Sequence, residues 1–461
     1  MSVPPRSRGS ARVRAEHSYF ARRLLLPAQT FIHAQAVGGI VLLAAALAAI
    51  VWANYPWSDS YEDLWTHVIV LDVGVFRIEQ TARHWTSDGL MVFFFFVVAL
   101  EIKRELVHGE LSSRRKAMLP VAAALGGMAL PAIIYASFNA GGAGERGWGI
   151  PMATDTAFAL GVLALVGNRV PVEARVFLLA LAIVDDVGAI LVLAVFYTES
   201  LSLTALGVAL LLLVIIAVMN RVGVVSMTPY FVVGAFIWVA VLKSGIHATV
   251  AGVVLGALAP ARPYLDKNVF TERVGALFRR LRTAMARDDQ EAAETVLGEI
   301  EELTLAAEAP VDRLVRQLQP WISYGIVPIF ALANAGVVIS GSAVRAAVES
   351  NVTFGVIAGL LVGKAAGITG ASWLAVRFRI ASMPATMNLP RLASIGVVAG
   401  MGFTVSIFFT ELSFGQSEVI SEAKLGILFA SILAGALGYL LLKWSWRGAK
   451  VEKPRVVELR E

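Results

Sequence analysis

Blocks of roughly twenty residues without a charge recur along this chain, and they leave it few ways to fold. The stretch VGGIVLLAAALAAIVWA at positions 37–53 is one of them. An apolar helix of about 20 residues, rising about 1.5 Å per residue, crosses the roughly 30 Å hydrocarbon core of a bilayer and satisfies its own backbone polar groups there. Blocks of this kind begin at Phe31, Gly89, Ala117, Trp148, Val176, Leu201, Val224, Gly245, Gln317, Asn351, Leu392 and Leu425. The pattern predicts an all-α multi-pass membrane protein with about twelve transmembrane helices. The seventh and eighth blocks are separated only by a Lys243-Ser244 turn. Composition agrees: of 461 residues, 57% are hydrophobic and 16% charged, where a soluble domain carries about 25% charged residues.

Cysteine is absent, which excludes disulfides, thiolate metal sites and a cysteine nucleophile, and only six histidines are scattered along the chain. No cofactor is expected. The formal net charge of +5 suggests nucleic acid until the basic residues are mapped, because they cluster in the links between apolar blocks. Short cytoplasmic loops hold Lys and Arg in membrane proteins. The N-terminal segment carries Arg6, Arg8, Arg12, Arg14, Arg22 and Arg23, and the link after the second block carries Lys103, Arg104, Arg114, Arg115 and Lys116. Later even-numbered links hold Arg169, Arg175, Arg221, Arg377, Arg379 and Arg391, whereas odd-numbered links such as 198–202 are poor in them. Both termini are therefore expected in the cytoplasm. The expected organisation is a basic N-terminal segment at 1–30, a transmembrane domain at 31–443 and a charged tail at 444–461. No cleavable leader is read at the start, where the apolar block is too long and lacks a small-residue cleavage pattern.

Two links are long. VIVLDVGVFRIEQ, at 68–80, places β-branched residues about a glycine and predicts a short hairpin on the outer face. Residues 262–316 alternate apolar and charged residues at helical spacing and predict one or two amphipathic helices on the cytoplasmic face.

Ionisable residues well inside the blocks are few: Asp155, Asp185, Asp186, His247 and Lys364. At about 2.5–3.5 kcal/mol per charge at a helix centre, the three Asp and the Lys cost on the order of 10 kcal/mol together, comparable to a whole protein's stability. Such residues mark function. Asp185 and Asp186 are neighbours on a helix, so they point about 100° apart and cannot chelate one ion as a flat pair. One is expected to face water and the other a basic partner, for which Lys364 is the intramembrane candidate. Asp155 lies between Thr154 and Thr156, residues that compete with backbone hydrogen bonds and predict a broken helix. Gly400-Met401-Gly402 predicts a second break. Paired breaks point to an inverted repeat, the third to fifth spans against the tenth to twelfth, with a cation site at mid-membrane. Helix ends carry partial charges, so Asp155 would offset positive N-terminal ends and Lys364 negative C-terminal ends. Gly355, Gly359, Gly363 and Gly367, spaced by four, predict close helix packing. His247 reads as a hydrogen-bonded residue near the interface rather than an ion ligand.

Three function classes remain open on these residues: cation/proton exchange, a sodium-coupled symporter or cation channel, and an intramembrane aspartyl protease. The last needs carboxylates on separate helices with a Gly-x-Gly-Asp signature, which the chain lacks.

ATDTAFALGVLALVG, LALAIVDDVGAI, FFFVVALEIKRELVHGEL, GIHATVAGV, FALANAGV, GLLVGKAAGI and GMGFTVSIFF closely resemble, in order over nearly the whole chain, the NhaA-type bacterial sodium/proton antiporters. The resemblance implies the family's fold, an inner-membrane location, a homodimer held partly by the outer hairpin, and electrogenic, pH-regulated export of Na+ and Li+ against protons: a secondary transporter serving sodium and pH homeostasis, not an enzyme. Its partners would be Na+, Li+, H+ and the bilayer, with no nucleic acid. Carried over by position, Asp185 and Asp186 look like the ion- and proton-binding pair, with Na+ at these carboxylates. Asp155 and Thr154 look like the ion-site residues at one break, with Gly400 and Gly402 at the other. Lys364 resembles the lysine that pairs with the first Asp of the doublet. Glu101, Arg104 and Glu105 match cytoplasmic charges linked to pH sensing, and His247 is grouped with them. The chain departs from the best-studied member at Val315 and Gln319, where that member has an acidic residue and a histidine, and in its longer inner link. The activation pH is expected to differ.

Overall fold

The computed structural model describes residues 26–447 apart from 73, 75–76, 199–200, 225, 264 and 416–418. The arginines of the N-terminal segment from Arg6 to Arg23 and tail residues 448–461 lie outside the described residues. Among the described residues, seven helices are long and apolar enough to cross a membrane, or eight when Leu389–Val398 and Phe403–Phe414 are taken as one bent span. The chain divides into two compact units. Among the described residues, one comprises those within 1–58, 118–185 and 334–461, the other those within 59–117 and 186–333. The dividing point falls between Asp185 and Asp186, on the single helix Val172–Phe196.

In the first unit, Leu26–Asn54 packs along Thr156–Val166, and Val419–Ser445 lies against both Asn351–Ala358 and Leu389–Val398. The helix starts follow from local chemistry. Ser350 caps the Asn351–Ala358 helix by accepting from Val352 N, and Asn388, followed by Leu389 and Pro390, accepts from Arg391 N. Such side chains satisfy N–H groups that the first turn leaves unpaired. Arg391 also holds the first half of the bent span, Leu389–Val398. Its guanidinium sits 4.3 Å from the Trp446 ring centroid and donates to Thr386 O and Ser445 O.

The four-spaced glycines lie against the Arg114–Asn139 helix and the residues after it. A Cβ on Gly367 would fall 2.1 Å from Gly126 O, one on Gly363 2.8 Å from Pro131 Cα, and one on Gly359 2.7 Å from Pro151 Cβ. The backbones meet where only hydrogen fits. The span Asn351–Arg377 is also not a uniform α-helix, because Gly359–Gly363 forms a π-helical turn immediately before Lys364.

In the second unit, Met91–His108 packs along Thr249–Leu258, and Gly252 approaches Val92 O so closely that a Cβ would stand 2.2 Å away. Leu203–Val222 and Thr228–Lys243 pack together through Ala209, Ile216, Ile237, Ala240 and Val241. Only 11% of the most apolar window of Leu203–Val222 is buried, against 61% for Val172–Phe196, so the former presents most of its surface outward. The block read from Gly245 is shorter than expected. Its helix, Thr249–Leu258, has ten residues, a length of about 15 Å that cannot cross a 30 Å core alone. Gly245 at φ +83° turns the chain before it, and Pro260 follows soon after its end. The block read from Gln317 starts earlier, as Pro310–Trp321, and continues through a π-helical turn at Ile322–Ile326 into Val327–Asn334.

The β-branched run forms an antiparallel hairpin, Val68–Asp72 with Arg77–Thr81, in which Val70 faces Glu79. The long link forms two helices, Lys267–Ala286 and Gln290–Ala307, packed side by side and joined by a bidentate Arg280–Glu299 pair.

The glycine contacts give a direct test. Gly367→Val places a side chain against the backbone of Gly126, and such overpacking costs about 1–3 kcal/mol. A lower melting temperature in detergent is expected, whereas Gly161→Ala, inside the Thr156–Val166 helix and meeting nothing within 4 Å, does not lower it, because Ala favours a helix interior over Gly.

Candidate functional site

The first unit brings two interrupted helices together at their breaks. After the 3-10 segment Glu145–Met152, Ala153 (φ −87°, ψ 149°) and Asp155 (φ −80°, ψ 98°) are extended, and a new helix starts at Thr156. The second chain break, between Leu389–Val398 and Phe403–Phe414, bends the helix by 55°. Each interruption supplies what the other lacks. Asp155 N donates to Met401 O at 2.6 Å, and Thr154 Oγ1 donates to Ala399 O at 2.9 Å. In return, Asp155 Oδ2 accepts from Thr404 N (3.2 Å) and Thr404 Oγ1 (2.5 Å), while Asp155 Oδ1 accepts from Phe158 N (3.2 Å). One carboxylate thus caps the N-termini of two helices, each carrying about half a positive charge. Ser406 Oγ reaches Ile150 O at 2.7 Å, and Ser431 Oγ accepts from Phe403 N at 3.2 Å.

Gly400 and Gly402 let this region close. A Cβ on Gly400 would lie 2.3 Å from Leu360 O, and one on Gly402 2.1 Å from Ser406 Oγ. Leu360 belongs to the π-helical turn that ends just before Lys364. From there Lys364 Nζ reaches Asp185 Oδ2 at 2.6 Å, with both side chains 1% exposed. Asp185 Oδ1 has no well-formed hydrogen bond, and Thr154 is its polar neighbour. The unit therefore assembles Thr154, Asp155, Asp185, Lys364 and Thr404 around the two breaks, where the carbonyls of Ala399 and Met401 accept from Thr154 and Asp155. Hydroxyl, carboxylate and carbonyl oxygens are the donors a hard monovalent cation takes. Asp186 is buried one residue further along the Val172–Phe196 helix, about 100° around its axis, in the part of the helix that belongs to the second unit.

Comparison with known proteins now places the chain. The sequence model of the family described as Na+/H+ antiporter 1 matches residues 29–442. The chain belongs to this family. It is 45% identical over 436 residues to a Na(+)/H(+) antiporter NhaA of Oleidesulfovibrio alaskensis, covering 94% of this chain and 96% of that protein. A Koribacter versatilis NhaA is 44% identical over 424 residues, with 92% of each chain covered. NhaA 2 of Pseudomonas putida is 43% identical over 436 residues, covering 93% of this chain and 95% of the relative.

Other residues singled out in this Na+/H+ antiporter 1 family member lie in the second unit. Glu101, Arg104 and Glu105 are on Met91–His108, where Glu101 is buried with Oε1 lacking a hydrogen-bond partner. His247 is half-buried in the turn between Thr228–Lys243 and Thr249–Leu258, and its Nε2 has none either. Val315 packs in an apolar cluster with Leu100 and Leu314, and Gln319 Nε2 donates to Ser323 Oγ at 3.4 Å.

Sequence reasoning gave no role to two features. Thr404, two residues after the Gly-Met-Gly break, is the residue that binds Asp155 from the other helix. Lys424 Nζ and Glu411 Oε1 form a second largely enclosed ion pair at 2.6 Å, tying Val419–Ser445 to Phe403–Phe414. The signal for that pair was a charge at the end, rather than the middle, of each apolar block.

Because the Lys364–Asp185 pair is enclosed, removing one partner leaves the other charge uncompensated, a loss of about 3–5 kcal/mol. Lys364→Met is expected to lower unfolding stability by this amount, and Lys364→Met with Asp185→Asn to recover most of it. Equal and additive losses in a double-mutant cycle would show that the two side chains do not act as a pair.

Proposed function

We propose that this chain is an electrogenic, pH-regulated secondary antiporter that exports Na+, and Li+ as well, in exchange for protons. The observation that carries the reading is the meeting of two helix breaks around Asp155 beside the enclosed Lys364–Asp185 pair, in a chain whose curated relatives are named Na(+)/H(+) antiporters. In this reading Asp185 and Asp186 carry the exchangeable ions, Thr154 and Asp155 contribute oxygen ligands, and Lys364 balances charge. Gly400 and Gly402 allow the second break its close approach. Glu101, Arg104, Glu105 and His247 set the pH at which transport begins.

The mechanism is competition. A carboxylate that has taken a proton has lost the charge that held Na+, so one set of groups, exposed alternately to the two sides, couples the opposed fluxes without a separate device. If more protons enter than Na+ ions leave, each net charge gains about 2.3 kcal/mol per 100 mV of membrane potential, which drives Na+ out uphill. The proposed architecture is about twelve spans with the third to fifth and tenth to twelfth as an inverted repeat. The protein would lie in the bacterial inner membrane with both termini in the cytoplasm. The Val68–Thr81 hairpin would be outside and contribute to a homodimer. Secondary transporters built from inverted repeats commonly place their ion site at such discontinuous helices.

Competition fixes the sign of the pH effect. Apparent Na+ affinity in proteoliposomes is expected to fall as pH drops, read as Na+-dependent change in a lumenal pH dye without any organic solute. Asp186→Asn is expected to be inactive at every pH tested. Robust Na+-driven proton flux in that variant would refute the carboxylate assignment, and Na+ flux without proton movement would instead point to a channel.

A further inference from the structure

The two link helices segregate charge. Lys267–Ala286 and the following Arg287 contain Lys267, Arg273, Arg279, Arg280, Arg282 and Arg287 against one acid, Glu272, whereas Gln290–Ala307 carries five glutamates and no basic residue. Leu277 and Ala284 are buried on the basic helix, as is Val296 on the acidic one, and Arg280 spends its charge on Glu299. The outer stripe of the basic helix is left uncovered. Phe278, Arg282 and Met285, at helical spacing of four and three, share one face, with Arg279 beside it. Phe278 is 56% and Met285 68% exposed. Large apolar side chains flanked by arginines form the pattern of a helix lying in a membrane interface.

The chain path places that helix near the bilayer. Eight residues separate the apolar Thr249–Leu258 helix from Lys267. The base of the link is pinned by bonds from Leu265 N to Ala306 O and from Val311 N to Pro260 O. We propose that the Phe278–Arg282–Met285 face docks on anionic phospholipid headgroups of the cytoplasmic leaflet, with the glutamate-rich helix directed away. The sidedness rests on the orientation proposed above. The charge complementarity is specific. An anionic surface attracts the arginines and repels the glutamates, which fixes the roll of the helical pair as well as its attachment.

The chain has no cysteine, so single probes are clean. Full-length Met285→Cys and, on the acidic helix, Leu297→Cys are labelled with an environment-sensitive fluorophore and placed in nanodiscs. The discs hold phosphatidylcholine alone or mixed with phosphatidylglycerol, each with brominated acyl chains. The Met285 probe is expected to shift to the blue and to be quenched several-fold more strongly with phosphatidylglycerol. The gain should be lost at high salt or in Arg279→Glu/Arg282→Glu, while the Leu297 probe stays unchanged. Equal solvent exposure of the Met285 probe in both lipids would overturn the proposal. So would shielding seen only in discs that hold two copies, which would make the face a self-association surface. Labelling of Leu297→Cys by an impermeant maleimide in right-side-out and inverted vesicles reads the orientation separately. Modification from the outer side would refute the sidedness and this assignment with it. Ion exchange in the same discs' parent proteoliposomes tests the transport reading independently.

Discussion

A helix interrupted inside a membrane leaves backbone N–H and C=O groups with no water to bind, each costing several kcal/mol if left alone. This chain interrupts two helices and lets each satisfy the other: the Asp155 amide takes Met401 O, Thr154 takes Ala399 O, and Thr404 returns two bonds to the Asp155 carboxylate. Neither break is tolerable without its partner. The arrangement requires close approach, which is why residues without side chains stand at Gly400 and Gly402 and why the four-spaced glycines bring Asn351–Arg377 against its neighbours.

The same closeness sets where Lys364 stands. A π-helical turn holds one more residue than the α-helical turn it replaces, so everything after it is rotated by about 100° relative to an uninterrupted helix. Gly359–Gly363 is such a turn, and Lys364 is the first residue beyond it. The lysine's direction toward Asp185 therefore depends on the irregularity, whose end glycines, Gly359 and Gly363, lie against Pro151 and Pro131.

Local pattern made some of this legible and could not reach the rest. Thr154-Asp155-Thr156 and Gly400-Met401-Gly402 announce trouble for a helix in their own composition, and the hairpin about Gly74 and the amphipathic link carry their own periodicities. What the sequence does not state is partnership between positions far apart. Thr404 is 249 residues from the carboxylate it binds. The π-helical turns are equally silent, because GLLVG and ISYGI are compatible with an ordinary α-helix. The brevity of Thr249–Leu258 was hidden by an apolar run that continues through Ala259 and past Pro260 to Ala261, which composition counts as helix and proline does not permit.

The charges at the breaks differ in what opposes them. Asp155 is held by helix N-termini and by the Thr404 hydroxyl, and none of these can leave while the two breaks remain together. Asp185 is opposed by an ammonium at the end of a flexible four-carbon stem, bound through one oxygen while the other lacks a well-formed bond. A fixed dipole makes a permanent anchor, and a mobile charge makes an exchangeable one. In an exchanger built on this framework, Asp155 is the carboxylate that keeps the breaks in register. Under the exchange proposed above, Asp185 is the carboxylate whose counter-charge gives way to a cation.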